Sequence, residues 1–464
     1  MDSKTSDPQL PYPGERIEHR TLGPGAVARL LDGGRKALVR FDRRPAAPSV
    51  VLVSELVGKG RVAAPAPAPV PRSSPEDPPD RQTLEALRMG VVPVRGLNAL
   101  TVGRQTELVE LDRLLDRGRG MVVLSGGYGA GKTHMIELAD AMGVGRGFAL
   151  ARATFDPVEV PPSHPLRLYG ALMRDLRLPG SAEPGLRPLL ERLGPSEDHI
   201  HGDRQHRWLS PALFAVHHAP AELAQDVLAF VAGQGRDDHR ELSHQLRRHG
   251  FKGRDMLGLP DYRTFGQVMA HMLGGVASWA KDAGASGLLL LLDEAEYLDR
   301  LGSQSREMAE NVLRFLAIAA LPPELLAFEP GAIYRGGQAV HRELSPVYRL
   351  EQPLSVLCAF TPDPQVDQVL RRTLLDPASR IELEPVRPSL LPVLAEKVYD
   401  LVKAVYPQLD PDPDHRRRVT QALERAFRGG QVESTRQAAR LVIEFWDIYR
   451  QDPARALKAL DGSA

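Results

Sequence analysis

One eight-residue stretch constrains the fold more than any other part of the chain. Residues Gly126–Thr133 read G-G-Y-G-A-G-K-T, which completes the spacing G-x-x-x-x-G-K-[ST] of a phosphate-binding loop. The apolar run Met121–Leu124 precedes this loop, and the run Met135–Ala139, which reads as a helix start, follows it. A strand, a glycine-rich loop and a helix in this order are the context that such a loop requires. The sequence therefore predicts an α/β core with a nucleotide site.

The residue types of the loop account for its expected chemistry. Glycines let the backbone curl so that successive N–H groups point at phosphate oxygens, and the helix N-terminus adds its positive dipole end. We expect Lys132 to reach the β- and γ-phosphates of ATP and the Thr133 hydroxyl to ligate Mg²⁺. The predicted nucleotide-binding residues of the loop are Gly126, Gly127, Tyr128, Gly129, Ala130, Gly131, Lys132, Thr133 and His134. A chance lysine in a glycine-rich turn is the alternative, and the flanking strand and helix argue against it.

A second motif lies downstream, where the apolar run Leu288–Leu292 ends in Asp293 and Glu294. A strand that is apolar on both faces suits a buried parallel sheet. Acidic residues at its carboxyl end fall where ligands bind in open α/β sheets. We expect Asp293 to hold the magnesium shell and Glu294 to orient or deprotonate the attacking water. A chance pair of acids after an apolar strand is the alternative.

Two further features are interpreted by their likeness to AAA+ ATPases. The box V-G-R-x-x-E-L at Val102–Leu108 is typical of AAA+ and STAND-type ATPases, where it packs near the adenine, so Val102, Gly103 and Arg104 are predicted nucleotide contacts. In AAA+ folds the strand after the acidic pair carries a polar residue that senses the γ-phosphate, and Thr361 stands at that position. A plain strand-terminating threonine is the alternative.

Arginines that could contact phosphate occur in two places. Arg371 and Arg372 are candidates for reaching the nucleotide of a neighbouring subunit, and a solvated helix face is the alternative. Arg436, near the start of the last long predicted helix, is a candidate second sensor.

The chain divides into five predicted segments. Residues 1–13 form a polar tail, and residues 14–60 contain short strands that suit a small SH3-like β-barrel. Residues 61–80 form an Ala/Pro-rich tether of polyproline character. Residues 81–375 form the AAA+-like core, with a helical insert at 177–265, and residues 376–464 form a helical, winged-helix-like C-terminal domain. The barrel resembles Tudor-like modules of some helicases and of CarD-type transcription factors, which contact RNA polymerase or nucleic acid; a structural appendage without a ligand is the alternative.

The helical insert is rich in histidine, which raises the question of a metal site. The pairs His199/His201 and His217/His218 have neither a nearby cysteine nor the spacing of a zinc site. We therefore expect exposed or capping histidines and an insert that serves as an interaction surface.

Composition excludes some functions. Acidic and basic residues are equal in number and the formal net charge is zero, so composition gives no support to a polyanionic partner. A single cysteine, Cys358, and the lack of a signal-peptide pattern indicate a reducing cytoplasm. No apolar run approaches the ~20 residues that a membrane span needs, so no membrane partner is expected.

Together these residues resemble the BrxC/BrxD family of ATP-binding proteins from BREX phage-defence systems, and the smaller BrxD type more closely. The resemblance rests on A-L-R-x-G-V-V-P at Ala86–Pro93, T-V-G-R at Thr101–Arg104, the glycine loop, P-x-x-L-Y ending at Tyr169, G-L-L-L-L-L-D-E-A-E at Gly287–Glu296 and F-T-P at Phe360–Pro362. It implies an AAA+-like ATPase that uses ATP and Mg²⁺ and acts on DNA beside other defence proteins, such as a helicase, with a homo-oligomer as an option.

Two other functions remain open at this stage. The first is a nucleotide-gated scaffold with weak ATPase activity that recruits a helicase or RNA polymerase through the N-terminal barrel. The second is a plain DNA-binding module, which the zero net charge makes less favourable.

Overall fold

Two compact units make up the chain, Met1–Val70 and Pro71–Ala464. The structure is a computed structural model that describes residues 16–19, 23–31, 36–42, 49–52, 56–58, 81–93, 95–235, 238–259, 265–294, 302–333, 344–375, 380–384 and 387–461. The predicted tail (1–13) and tether (61–80) lie outside the described residues. The predicted boundaries between the segments stay predictions.

The N-terminal unit contains an antiparallel sheet in the order β4-β3-β2-β1-β5. Its strands are β1 (Arg16–His19), β2 (Gly23–Leu31), β3 (Lys36–Phe41), β4 (Ser49–Leu52) and β5 (Leu56–Gly58). Val27, Val39 and Phe41 are among the residues that form its small buried core. The sheet accounts for the short strands of the sequence pattern, and an SH3-like barrel remains a prediction.

The second unit is built on a parallel sheet with the strand order β10-β6-β9-β8-β7. The strands are β6 (Gly120–Ser125), β7 (Ala149–Thr154), β8 (Leu288–Asp293), β9 (Leu354–Phe360) and β10 (Arg380–Glu382). The predicted α/β core with a parallel sheet is confirmed. Because β9 lies between β6 and β8, the residue that follows β9 is placed between the glycine loop and the acidic pair.

Burial on both faces explains why β8 is a run of leucines. All six residues of this strand are buried. Leu288, Leu290 and Leu292 pack into the core on one face of the sheet, and Leu289 and Leu291 pack into the core on the other face. Alternate side chains of a strand point to opposite faces, so an uninterrupted apolar run is what this central position requires.

Helices surround the sheet and extend into two further groups. Their bounds are α1 (Arg81–Arg88), α2 (Leu97–Leu100), α3 (Gln105–Arg117), α4 (Lys132–Gly145), α5 (Pro165–Asp175), α6 (Arg187–Leu193), α7 (Glu197–Ile200), α8 (Leu209–His218), α9 (Ala221–Val231), α10 (His239–Arg248), α11 (Phe265–Asp282), α12 (Ser303–Ala320), α13 (Pro364–Arg371), α14 (Leu391–Val405), α15 (Pro413–Arg428), α16 (Thr435–Gln451) and α17 (Pro453–Asp461). Every helix among the described residues is too short or too polar to cross a membrane.

The two outer groups differ in how they pack. Helices α6 to α10 of the insert share one continuous core with α11 and the sheet. Helices α14 to α17 pack with α1 around a separate core that contains Trp446. Residues 387–461 are described throughout and contain helices without a strand, so the wing of the predicted winged-helix-like domain is not found there.

The structure corrects the expectation for His199, whereas His201 and His218 are exposed and His217 is half-buried. His199 is 7% exposed, and its ring contacts the Ser196 hydroxyl and Asp282. His206 is 1% exposed, and its Nδ1 accepts hydrogen bonds from the backbone N–H groups of Trp208 and Leu209 at the start of α8. These two residues are core histidines rather than exposed ones, although His206 does cap a helix.

Candidate functional site

The glycine loop joins β6 to α4 and takes the backbone geometry that its sequence predicts. Gly129 and Gly131 have φ values of 77° and 98°, in the left-handed region that favours glycine. The Gly126 N–H donates to Phe360 O at 3.1 Å, which ties the start of the loop to the end of β9. Helix α4 begins at Lys132, so the free N–H groups of its first turn face the loop.

Lys132 lies where the loop and β9 meet. Its Nζ donates to the carbonyl oxygens of Gly126 at 2.8 Å and Gly127 at 3.3 Å, and to Thr361 Oγ1 at 3.0 Å. Thr361 follows β9, so the strand order brings its hydroxyl to the loop lysine. A lysine ammonium has three N–H donors that can rotate, so a phosphate can replace the carbonyl and hydroxyl oxygens as their acceptor.

The acidic pair lies at the carboxyl end of β8, one strand away from Thr361. Asp293 is 3% exposed, and its Oδ1 accepts the Glu294 N–H at 2.9 Å. Glu294 is exposed and has a φ of 56°. A positive φ is uncommon outside glycine and is found where the surrounding structure holds a residue in place, often at functional sites.

A cavity of about 300 Å³ brings most of the predicted residues together. The predicted residues that line it are Val102, Arg104, Tyr128, Gly129, Ala130, Gly131, Lys132, Thr133, His134, Asp293, Glu294 and Arg436. Gly126, Gly127, Gly103, Thr361, Arg371 and Arg372 are absent from this lining, although Thr361 contacts Lys132 from the side.

Part of the cavity lining is apolar. It includes Pro93 and Leu100 from the segment before the loop and Leu394, Val398 and Ala439 from α14 and α16. The rest of the lining includes the glycine loop, Lys132 and the acidic pair. Apolar walls together with a helix N-terminus and a lysine suit a nucleotide, whose base is flat and whose phosphates are charged.

The side chain of Arg104 is hydrogen-bonded to the glycine loop. It is 8% exposed, and its Nη2 donates to Ala130 O at 2.6 Å and to Glu384 O at 3.0 Å. Its Nη1 donates to Glu107 Oε1 at 2.8 Å. Both terminal nitrogens of the guanidinium are therefore engaged with protein groups, one of which belongs to the loop itself. Gly103 lies against Leu390, the residue before α14, because a Cβ there would come within 2.4 Å of Leu390 Cδ1.

His134 is neutral and its tautomer follows from its partner. The Thr101 hydroxyl lies 2.8 Å from His134 Nε2 and gives its own proton to Leu97 O at 2.7 Å. Nε2 must therefore be the donor, which leaves Nδ1 as an acceptor. Burial, with a further contribution from the nearby Arg104 charge, lowers the pKa of His134 to about 4.

The candidate arginines occupy different places. Arg436 lies at the start of α16 beside Gly90, where an added Cβ would lie 3.4 Å from Arg436 Cδ. Arg371 and Arg372 are exposed at the end of α13, away from the cavity lining. Within one subunit the structure therefore brings Arg436 to the site and leaves the other two outside it.

Sequence reasoning missed two contributors to the site. Arg152 on β7 forms an ion pair with Asp293, with Nη2 3.6 Å from Oδ2. A lone charge in an otherwise apolar predicted strand was the signal that could have found it. Ser434, the N-cap of α16, packs on the loop, because a Cβ on Gly129 would lie 2.7 Å from Ser434 Cβ. Local sequence carried no signal for that contact.

The protein donors for a cation at this site are few. Thr133 and Asp293 both line the cavity. Across the described ranges, no group of three or more His, Cys, Asp or Glu side chains could hold a metal ion by itself. Magnesium commonly binds through one or two protein ligands and takes the rest from phosphates and water. The donor set therefore fits a cation that arrives with a nucleotide.

Comparison with known proteins agrees with this geometry. Residues 78–199 match the family model described as BREX system ATP-binding protein BrxC/D. The resemblance to BrxC/D is confirmed. The matched segment runs from α1 through the glycine loop to α7. The description of that family names ATP binding and a BREX system. No curated protein is significantly similar to the chain.

Proposed function

We propose that this protein is an ATPase, in which the cavity binds ATP with Mg²⁺ and the acidic pair drives its hydrolysis. The observation that carries the proposal is that Lys132 and the Asp293–Glu294 pair line one cavity, while Thr361, at the end of the strand between them, contacts Lys132. Phosphoryl transfer is catalysed mainly by positioning and charge stabilisation, and these residue types supply both.

Each residue has a proposed role. Lys132 and the N–H groups of the loop bind the phosphates. Thr133 and Asp293 would hold the cation, which would supply positive charge beside the phosphate oxygens. Glu294 orients or deprotonates the water. Thr361 senses the γ-phosphate and Arg436 reaches the nucleotide from α16. Val102 and the apolar walls of α14 and α16 enclose the base.

ATP turnover by Lys132→Ala and Glu294→Gln tests this proposal. Loss of the lysine should weaken nucleotide binding and abolish turnover, whereas loss of the glutamate should abolish turnover and leave ATP bound. Glu433→Gln, an exposed acid next to the N-cap of α16, is the matched control and should behave as the wild type. Unchanged rates in both site variants would remove the ATPase assignment.

We further propose that ATP turnover drives a conformational change in a DNA-associated, BREX-type defence complex in the cytoplasm. The match to BrxC/D supports the setting, and DNA, a helicase and a second copy of this chain are the proposed partners. Arg371 and Arg372 would then serve a neighbouring subunit, which is compatible with their exposure. Sizing the protein with and without a slowly hydrolysed ATP analogue and duplex DNA tests assembly; a monomer under all conditions would contradict it.

A nucleotide-gated scaffold is the second candidate. The separate N-terminal unit, with its own antiparallel sheet, favours it, since an SH3-like or Tudor-like barrel could recruit a helicase or RNA polymerase. This candidate predicts slow ATP hydrolysis and loss of the partner when residues 1–60 are deleted. Rapid turnover with retention of the partner after deletion would exclude it.

A further inference from the structure

Arg152 is a charged residue in the middle of a buried strand. Its neighbours on β7, Ala151 and Ala153, are buried, and its own side chain is 15% exposed. The guanidinium lies between Glu137 on α4 and Asp293 on β8. Arg152 is not among the residues that line the cavity, so it acts on the site through another side chain.

The two contacts of Arg152 differ in kind. Its Nη1 donates a hydrogen bond to Glu137 Oε1. Its Nη2 lies 3.6 Å from Asp293 Oδ2, which is an ion pair without a close hydrogen bond. Glu137 is four residues after Thr133 on α4, so it lies one helical turn behind the proposed magnesium-binding hydroxyl. Arg152 therefore links the two elements that carry the proposed metal ligands.

Charge compensation explains why an arginine is needed here. A carboxylate as buried as Asp293, whose side chain is 5% exposed, is costly unless a positive charge lies near it. Burial works to lower the pKa of Arg152, but Glu137, followed by Asp293 and Asp140, raises it above the ordinary value. Arg152 is therefore a permanent cation.

We propose that Arg152 is a tethered counter-ion for Asp293 that competes with magnesium for this carboxylate. The hydrogen bond to Glu137 holds Arg152 in place, and the longer contact with Asp293 is the one that the cation can replace. Without a divalent cation, the positive charge of Arg152 compensates the buried carboxylate of Asp293. When the cation binds, Arg152 loses its contact with Asp293 and retains its hydrogen bond to Glu137. It is a positioning residue that sets how much Mg²⁺ the site needs. This inference rests on the proposed role of Asp293 as a metal ligand.

Thermal unfolding in the presence of a chelator tests the counter-ion role. The variants are Arg152→Met, Asp293→Asn and the double variant, compared with the wild type. Arg152→Met should unfold at a markedly lower temperature, and removal of the Asp293 charge in the double variant should recover a large part of the loss. The contact with Glu137 is lost in both arginine variants, so it cancels in this cycle. Strictly additive shifts would overturn the proposal, as would a double variant that fails to fold.

A magnesium titration tests the competition. Binding of a fluorescent non-hydrolysable ATP analogue is measured at increasing Mg²⁺ concentration. Arg152→Met, which lacks the competing charge, should reach half-maximal enhancement at about tenfold less Mg²⁺ than the wild type. Arg152→Lys, which keeps a cation, should remain near the wild type. A requirement that is unchanged or increased in Arg152→Met would overturn the proposal.

Neither measurement depends on turnover. If Lys132→Ala and Glu294→Gln leave ATP hydrolysis unchanged, the proposed function fails, while the coupling between Arg152 and Asp293 in the unfolding cycle would still be observed. If hydrolysis is lost in those variants and the cycle is additive, only the inference about Arg152 fails.

Discussion

Lys132 Nζ and Thr361 Oγ1 lie 3.0 Å apart, although the two residues come from different strand ends of the sheet. The contact exists because β9 is inserted between β6 and β8. The hydroxyl contacts the lysine that we propose to bind phosphate, so we expect it to respond to a terminal phosphate.

Thr361→Val, which keeps the shape of the side chain and removes the hydroxyl, should lower the kcat of ATP hydrolysis by about tenfold or more and change KM little. The reason is that a group aimed at the γ-phosphate acts on the transition state more than on binding. Thr361→Ser should keep most of the activity. If valine preserves kcat, Thr361 is simply a residue that ends a strand.

Arg104→Ala should destabilise the protein by about 1–3 kcal/mol, because it leaves the carbonyl of Ala130, whose hydrogen bond is buried, without its donor and also removes the hydrogen bond to Glu384 O. Nucleotide affinity should fall with it, since Ala130 belongs to the loop. The measurements are urea unfolding and analogue binding. Arg387→Ala removes an exposed arginine that pairs with the Glu384 side chain, and it should cost less than about 0.5 kcal/mol. Equal effects in the two variants would contradict the supporting role of Arg104.

Gly129→Ala should cost about 1–3 kcal/mol in unfolding free energy without nucleotide. Two causes add, namely a φ of 77° and a new Cβ within 2.7 Å of Ser434 Cβ. Gly127→Ala is the control, since nothing lies within 4 Å of a Cβ there. If both alanine variants are equally stable, the loop does not pack on α16 as the structure indicates.

Stability should fall as the pH is lowered from 7 to 5, with His206 as one cause. Burial, followed by the nearby His271, lowers the pKa of His206 well below 6.5. Below pH 6.5, His206 therefore binds a proton in the unfolded chain but not in the folded chain, and the free energy of unfolding decreases. His206→Asn can still cap α8 but does not titrate, so its melting temperature should depend less steeply on pH.

His201→Asn, which changes an exposed histidine of the same segment, should retain the wild-type pH dependence of the melting temperature. Identical slopes for wild type and His206→Asn would show that the neutral buried imidazole does not contribute to the loss.

The parts of the site that could be predicted from sequence are those that depend on local pattern. The spacing of Gly126–Thr133 predicts a loop between a strand and a helix, and the leucine run predicts β8 and its end. Because the carboxyl ends of parallel strands lie at the same edge of a sheet, both motifs are expected at one edge. The rest depends on which distant segments approach each other. Tertiary contacts that no short stretch of sequence encodes determine the rest. They pair Arg152 with Asp293, pack Ser434 on Gly129 and bury the side chain of Arg104.

The positions of two histidines in the helical insert could not be predicted from the sequence either. His199 and His206 look like surface residues in a polar, histidine-rich segment, yet both are buried against the core of α11. Their placement depends on hydrogen bonds that the fold supplies, namely between His199 and Asp282 and from the first N–H groups of α8 to His206.

The cavity is lined by Pro93 ahead of the glycine loop and by Leu394, Val398 and Ala439 of the C-terminal helices. The C-terminal helices are therefore walls of the binding chamber rather than a detachable appendage. A truncated protein that stops after the sheet would lose these walls, so we expect a shortened version to need α14 and α16 if it is to bind nucleotide.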